Sequence, residues 1–515
     1  MYSDNSKRGP FLLNHIIDAY INSGRAPFDG LKRNDPSFRD KVHVVVGDVG
    51  LPGLGLSKSD REKLTQEVDS IIHFAATVRF NETLRLAAYI NVRGVRDLIK
   101  LAKDMKKLRV FLHESTAFSN ALVSRQTIDE VFYDPPMTAD KLLGLVECLD
   151  DDQLKQITDT IIDEFPNTYA FTKCIAEDVL RKEGKNMPIV IHRPSVVIST
   201  VSEPLSGWID NFYGPTGAFL GVAVGIIRTL RGKGENIAEM VPADYVINSC
   251  LATMWNVATI RQIVENYIYV LQRPTWFSPF LISEIELYCT DYFIKTYPSR
   301  TSLDENEEIQ IKASLKFEQD IPIYNYVSSV QNPVTWDEFK NLATKHGTKF
   351  PPQRVLWYRI CRFRPNYYEN MLAVLFLHTI PAYLVDFVLI CLGKKPLLVK
   401  GYQKIKKFAQ VIEYFGMNDW KFKNNNTQML WNKMKTADRK FFKFDIEKLD
   451  WDLYMYTYCR GCRVYLLQDP MDTLPQAKKK YRILFVLHYF VLGVFSLLVL
   501  RFVLALFVVL GSLLV

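Results

Sequence analysis

The sequence predicts an α/β chain: a doubly wound parallel sheet, then a mostly helical second domain and a C-terminal transmembrane helix. Three observations carry that prediction. Short apolar runs of strand length alternate with helix-period segments as far as residue 192, and the alternation gives way to helical patterning after about Ile260. The last stretch, residues 483–515, is broken only by His488 and Arg501.

Residues 1–40 are polar with a helical look. Val42-His43-Val44-Val45-Val46 then reads as a buried parallel strand ending in Gly47-Asp48. A helix is predicted over 58–68, followed by the strand Ser70-Ile71-Ile72-His73-Phe74, which runs into Ala75-Ala76. Apolar residues at three- and four-residue spacing mark 84–103 as a helix. The strand 109–113 ends in Ser115-Thr116-Ala117, a long helical region leads to a helix over 169–181, and residues 188–192 form another strand. In such sheets ligands sit at the carboxyl ends of the strands, where Asp48, Ala75, Ser115 and Arg193-Pro194-Ser195 fall. Residues 299–319 are charged and loop-like, Asn332-Pro333 turns into a helix, and 336–467 keeps a helical pattern. The expected division is a polar segment 1–40, a sheet domain 41–290, a linker 291–335, a helical domain 336–470 and an anchor 483–515.

Composition narrows the function. With 48% apolar and 23% charged residues the chain is globular. A net charge of +8 without a basic stripe of interleaved aromatics speaks against nucleic acid and suits a membrane surface or an anionic ligand. Eight scattered cysteines make no disulfide framework, and the CxxC pair Cys459 and Cys462 has no second ligand pair, so no metal is expected. Lys478, Lys479, Lys480 and Arg482 directly precede the C-terminal apolar stretch and put the domain before it on the cytosolic side. Residues 371–392 are also apolar but contain His378, Pro381 and Asp386. A mid-bilayer carboxylate costs about 2.5–3.5 kcal/mol, so this segment is expected to be an interfacial or partly buried helix pair.

The chemistry centres on Tyr169-Ala170-Phe171-Thr172-Lys173. Positions i and i+4 share a helix face, so hydroxyl and ammonium project into one site. A tyrosine with a pKa near 10 is a poor proton donor and acceptor at neutral pH, and a neighbouring cation favours its phenolate. Spacing alone does not single out this pair, because Tyr402 and Lys406 share it. Context does: one strand ends upstream in the hydroxyls Ser115 and Thr116, and another ends downstream in Arg193-Pro194-Ser195.

With these residues in place, the sequence resembles the alcohol-forming fatty acyl-CoA reductases, extended short-chain dehydrogenases/reductases with a helical C-terminal domain. The resemblance rests on Gly47-Asp48-Val49, His73 to Phe80, Asn91-Val92-Arg93-Gly94, Ser115 to Asn120, Asn167 to Lys173, Arg193-Pro194-Ser195, Gly207 to Asn211, Gly214 to Gly217 and Val241 to Val246. It runs from about residue 25 to the C-terminus. It implies a Rossmann-like sheet, NADPH as cofactor, a fatty acyl-CoA substrate, a lipid membrane as partner and an intracellular location, endoplasmic reticulum or peroxisome; it allows a homo-oligomer. It assigns catalysis to Tyr169, Lys173 and one of Ser115 and Thr116, with Thr116 favoured because it directly precedes Ala117. It places Asp48 and Val49 beside the adenine, and Ala75, Ala76 and Thr77 along the dinucleotide. Asn91 would support the active-site helix, Lys173 would reach the ribose, and Pro194, Ser195 and Val197 would lie near the nicotinamide. Arg79, Trp208, Asp210, Asn211, Gly214 and Thr216 would contact substrate or shape the acyl channel.

One departure matters. A dinucleotide fold needs a strand, a glycine-rich turn and a helix whose N-terminus holds the pyrophosphate, and residues 1–40 offer only isolated Gly9, Gly24 and Gly30. The sheet is therefore expected to be incomplete at its N-terminal side. Two rival readings follow: a sterol-type dehydrogenase of the same superfamily, and a folded membrane protein that no longer holds a dinucleotide.

Overall fold

The computed structural model describes residues 26–271 and 321–512. The chain forms two compact units, each assembled from separated segments. One comprises Met1–Val197, Asp244–Gln331 and Trp420–Glu447; the other comprises Ile198–Ala243, Asn332–Asp419 and Lys448–Val515.

The first unit is built on an all-parallel sheet in the order β1 (Ser70–His73), β2 (Val110–Glu114), β3 (Ile189–Pro194) and β4 (Ile323–Tyr326). Every residue of β3 is buried, as expected of a parallel strand covered on both faces. The helices Gly94–Lys103 and Thr168–Glu183 supply Val95, Ile99, Phe171 and Ile175 to a core shared with Phe111 and Ile191. Gly94 lets the first of these helices approach the preceding loop, since a Cβ there would stand 2.8 Å from the Val49 carbonyl oxygen. The fold class is therefore the expected one, with several elements placed differently.

Residues 42–46 lie in an extended segment but join no ladder among the described residues, and Val42 is 48% exposed. They lack a neighbouring strand, so they are not the strand their composition suggests. Within the expected linker, Ile323–Tyr326 is a fully buried core strand paired with β3. Residues 420–447 belong with the sheet rather than with a separate helical domain. Lys421–Phe422 pairs in parallel with Thr127–Ile128, Trp420 and Phe422 pack edge-on against Phe118, and the Tyr326 hydroxyl donates to the Phe444 carbonyl. The expectations for residues 1–25, for 272–290 and for the loop-like stretch 299–319 lie outside the described residues.

The second unit packs Trp336–Gly347, whose N-terminus carries the capping box of Thr335 and Glu338, against Trp451–Gly461. Gly207, at φ +75°, lies so close to Thr457 that an added Cβ would stand 2.2 Å from its carbonyl oxygen. The CxxC thiols of Cys459 and Cys462 are free and buried in helix. The apolar stretch expected to be a helix pair is a single helix, Tyr367–Cys391, with a π turn over Leu375–Thr379 just before Pro381. The wide turn accommodates a proline that lacks an N–H and crowds the preceding carbonyl. Tyr367–Cys391 and Met471–Ala505 are both long and apolar enough to cross a bilayer, with mean hydropathies of 2.0 and 2.6.

Back in the first unit, a buried ion pair fixes the helix that carries Tyr169. Arg193, at the end of β3, is fully buried and donates to both Glu177 oxygens, at 2.9 and 2.6 Å; its remaining N–H groups reach the carbonyls of Asp129 and Val131. Replacing Arg193 by Met strands the Glu177 carboxylate without its cation. Urea unfolding followed by tryptophan fluorescence should show a loss of about 3–5 kcal/mol. Lys41→Ala, at an exposed pair with Asp35, should cost less than about 1 kcal/mol. Equal losses would show that the buried pair is not the constraint described.

Candidate active site

Strand β2 delivers its last residues to the carboxyl edge of the sheet, where the helix Thr168–Glu183 begins. Asn167 caps that helix by accepting from the Ala170 N–H, and Tyr169 sits in its first turn. One turn on, the buried Lys173 ammonium donates to the Glu114 carbonyl at 2.7 Å, which ties helix to strand end. The Tyr169 phenol lies beside Thr116, near enough for that hydroxyl to hold its pKa down, and Phe80 packs its ring 5.8 Å from that of Tyr169. Thr116, Tyr169 and Lys173 thus form one constellation.

Ser115 does not join it. Its hydroxyl donates to Glu177, the same carboxylate that holds Arg193 and accepts from Ser119. The two adjacent hydroxyls therefore have different surroundings: Ser115 serves the buried ion pair, and Thr116 faces Tyr169.

Burial sets the protonation states. Desolvation pushes the Tyr169 phenol up, the Glu114 carboxylate adds to the rise, and the bond with Thr116 opposes it. Desolvation brings the Lys173 ammonium down to about 8, resisted by the charges of Glu114 and Glu177. Neighbouring strand ends bring His73 and His113 together, Nδ1 to Nδ1 at 3.0 Å. Burial, reinforced by the Lys173 charge, lowers His73 to about 3 and His113 further below its usual range. Both imidazoles are neutral, and Lys173 supplies the positive charge on this face.

Asn91 is the clamp behind the site. Its Oδ1 accepts from the Thr77 N–H, and its Nδ2 donates to the Thr77 carbonyl and to the Thr172 hydroxyl on the Tyr169 helix. It thereby holds the loop after β1 at a fixed distance from the turn between Tyr169 and Lys173. Along that loop Ala75 and Arg79 are exposed and Ala76 is half-buried. Asp48 is exposed, and its carboxylate accepts from the Gly50 N–H. Val49 packs against the core instead of lying free. At the end of β3, Pro194 is buried, Val197 is 44% exposed, and the buried Ser195 hydroxyl has no hydrogen-bond partner among the described residues.

The remaining expected contacts, Trp208, Asp210, Asn211, Gly214 and Thr216, lie in the second unit. There the Trp208 carbonyl accepts from the Thr200 N–H while its own N–H donates to the Thr200 hydroxyl, Asp210 and Asn211 are exposed, Gly214 opens a helix at φ +52°, and the buried Thr216 hydroxyl accepts from Tyr458.

The sequence reading passed over Glu114, Glu177, His73 and His113. Three were open to inference: Glu177 follows Lys173 by four residues on the same helix face, and the two histidines lie at or next to the ends of successive strands. Glu114, His192 and Cys250 also meet, with the His192 Nδ1 3.0 Å and the Cys250 sulfur 3.3 Å from one Glu114 oxygen. His192 and Cys250 are drawn there by strand β3 and the helix Ala243–Leu271, and their bonds satisfy the carboxylate.

An NAD-binding family model described as male sterility protein matches residues 23–250, and a second model with that description, of the Sterile type, matches 377–469. Fatty acyl-CoA reductase wat of Drosophila melanogaster is 34% identical over 91% of this chain and 79% of its own length. Fatty acyl-CoA reductase 1 of Rattus norvegicus is 34% identical over 88% of this chain and 76% of its own. Among solved structures, the reductase domain of a nonribosomal peptide synthetase from Mycobacterium tuberculosis aligns over 88% of this chain and 82% of that one, at 14% identity and a TM-score of 0.47. With its Tyr169, Lys173 and Thr116 constellation on a parallel sheet, the chain belongs to the fatty acyl-CoA reductase family.

Proposed function

We propose that the chain reduces a fatty acyl-CoA to the primary alcohol with NADPH, in two stages through a bound aldehyde, while attached to an intracellular membrane by its C-terminal helix. The observation that carries this reading is the buried Lys173 ammonium, bound to the Glu114 carbonyl one helical turn from a buried Tyr169 that has Thr116 beside it.

The residues at the carboxyl ends of β1 to β3 fit a dinucleotide in part. Ser195 Oγ and the Nε2 atoms of His73 and His113 are buried polar atoms without partners among the described residues, at the edge where such ligands lie. Lys173 is placed to serve both a ribose and Tyr169. Reduced nicotinamide, when bound, supplies a hydride to the substrate carbonyl carbon at each stage. Thr116 and Tyr169 donate to the carbonyl oxygen and stabilise the negative charge that develops there. In the first stage the tetrahedral adduct collapses, the C–S bond breaks and CoA leaves as the thiolate, which takes its proton from water. In the second, Tyr169 gives its proton to the aldehyde oxygen, and Lys173 stabilises the phenolate left behind. A long-chain alcohol partitions into lipid, which gives the membrane attachment a physical purpose.

Titration of the full chain with NADPH tests the cofactor half of this reading: saturable micromolar binding is the expected result, and its absence excludes the reductase.

Tyr169→Phe should abolish conversion of acyl-CoA to alcohol. Tyr402→Phe should leave it nearly intact, since that hydroxyl only donates to the Ile226 carbonyl; equal losses would move the site elsewhere. Thr116→Val should lower kcat by about 100-fold or more, the scale of losing one oxyanion donor. Ser115→Ala should act on thermal stability first and on kcat much less. The reverse order would make Ser115 the catalytic hydroxyl.

The Lys173 ammonium, brought down to about 8, loses its proton as pH rises through that value. Below that pH the cation beside Tyr169 is present, so kcat/KM should hold a plateau and fall on the alkaline side near pH 8. Lys173→Arg should carry that limb to higher pH. A limb that stays in place in this variant would assign it to another group.

A further inference from the structure

The helix Tyr367–Cys391 has a surface that the reductase reading leaves unexplained. One stripe, His378, Ala382 and Asp386, is buried. Away from it Leu372, Phe376, Ile380, Tyr383, Phe387 and Ile390 are between 38% and 65% exposed. An apolar face of this length on a single helix marks an interaction surface.

What the helix packs against decides how it meets its partner. Asp386 accepts from the backbone N–H groups of Leu397, Leu398 and Val399, each at 2.9 Å, and so satisfies the N-terminus of the next helix, Leu398–Met417. Eight residues earlier His378 stacks on Tyr402, with ring centroids 5.0 Å apart and planes 20° apart. The second helix therefore runs back alongside the first. Its inner side, with Ile405, Phe408, Ala409 and Ile412, packs on Ile227 and Leu230. Lys400, Lys404 and Lys407 recur at i, i+4 and i+7 on its outer side, all exposed, and Lys394 and Lys395 stand exposed in the connecting turn. None of the five has an ion-pair partner among the described residues.

We propose that Tyr367–Cys391 lies flat in the interface of an anionic membrane, its exposed face among the acyl chains and the lysines of the following turn and helix on the headgroups. A perpendicular span is excluded by the partner helix, because Lys400, Lys404 and Lys407 would be carried into hydrocarbon beside it with no counter-ion. A flat helix avoids this: the apolar face enters the acyl boundary while the lysines reach anionic lipid. Asp386 is shielded by its three N–H donors and does not meet lipid as a bare charge. This element is separate from Met471–Ala505, and the proposal needs neither the C-terminal anchor nor the reductase activity.

The test uses the full chain reconstituted in vesicles, with a fluorophore carried by a non-natural amino acid at position 387 or at position 404. Vesicles are phosphatidylcholine alone or phosphatidylcholine with phosphatidylserine. The expected result is that a lipid-borne nitroxide quenches the label at 387 and aqueous iodide does not, while iodide reaches the label at 404. Shielding of both labels with deep quenching would show a span and overturn the proposal. A label at 387 open to iodide would overturn it too, as would one shielded yet unquenched by lipid, which would mean that another protein copy covers the face. Lys400→Gln, Lys404→Gln and Lys407→Gln combined should reduce lipid quenching at 387 several-fold in phosphatidylserine vesicles and little in phosphatidylcholine. Equal quenching in both would overturn the headgroup contact. Co-flotation of every variant with the vesicles reports on the C-terminal anchor, so failure of one reading is distinguishable from failure of the other.

Discussion

The ion pair of Arg193 and Glu177 is the constraint on which the candidate site depends. An isolated charge in this interior would be prohibitively costly, so the pair persists only because its hydrogen-bonding capacity is met: Glu177 accepts from Arg193, Ser115 and Ser119, and Arg193 also serves two carbonyls. The bonds run from the end of β3 to the middle of the Tyr169 helix and on to the residue after β2. They set the rotation of that helix, and with it the direction in which Tyr169 and Lys173 project. Asn91 supplies the second restraint from the opposite side, through Thr172 and Thr77. Two anchors about one turn apart leave the helix little freedom to roll.

Electrostatics on this face follow from the same burial. Lys173 is desolvated but retains a carbonyl acceptor and two nearby carboxylates, so its charge is weakened and kept. The histidine pair beside it is desolvated with only a backbone bond from His73 to Ala75 in opposition, and it stays neutral. A parallel sheet thus presents one cation, two hydroxyls and two neutral imidazoles at its carboxyl edge.

Much of this was legible in the sequence. The strands around 70, 110 and 190, the helix of Tyr169 and the choice of Tyr169 over Tyr402 came from apolar periodicity and from what ends each strand. The structure explains the contrast, since the Tyr402 hydroxyl is occupied by a backbone carbonyl and its ring by His378. Three features were hidden. Ile323–Tyr326 has strand chemistry, but it follows a charged stretch and is paired only by a partner far back in the chain, which periodicity cannot report. Val42 to Val46 has the composition of a strand without a neighbour to make it one. The separation of Ser115 from Thr116 depends on Glu177, whose role shows only once the helix is laid on the sheet. The interleaving of the two units escapes any linear reading, because residues 198–243 leave the sheet unit and 420–447 return to it.

The π turn at Tyr89–Arg93 bears on how this site tolerates changes of chain length. A π turn holds one residue more than the regular helix around it. Here the surplus falls where Asn91 reaches Thr77 and Thr172, while Val92 within the turn and Val95 just after it remain in the core. Deleting a single residue would restore α pitch and rotate all that follows by about 100°. The valines and Asn91 could no longer keep their places together. The half-buried Ile90 can be exchanged at modest cost, but the residue count of this turn is fixed by two sets of neighbours at once. In this segment an insertion or deletion should be far more damaging than any substitution.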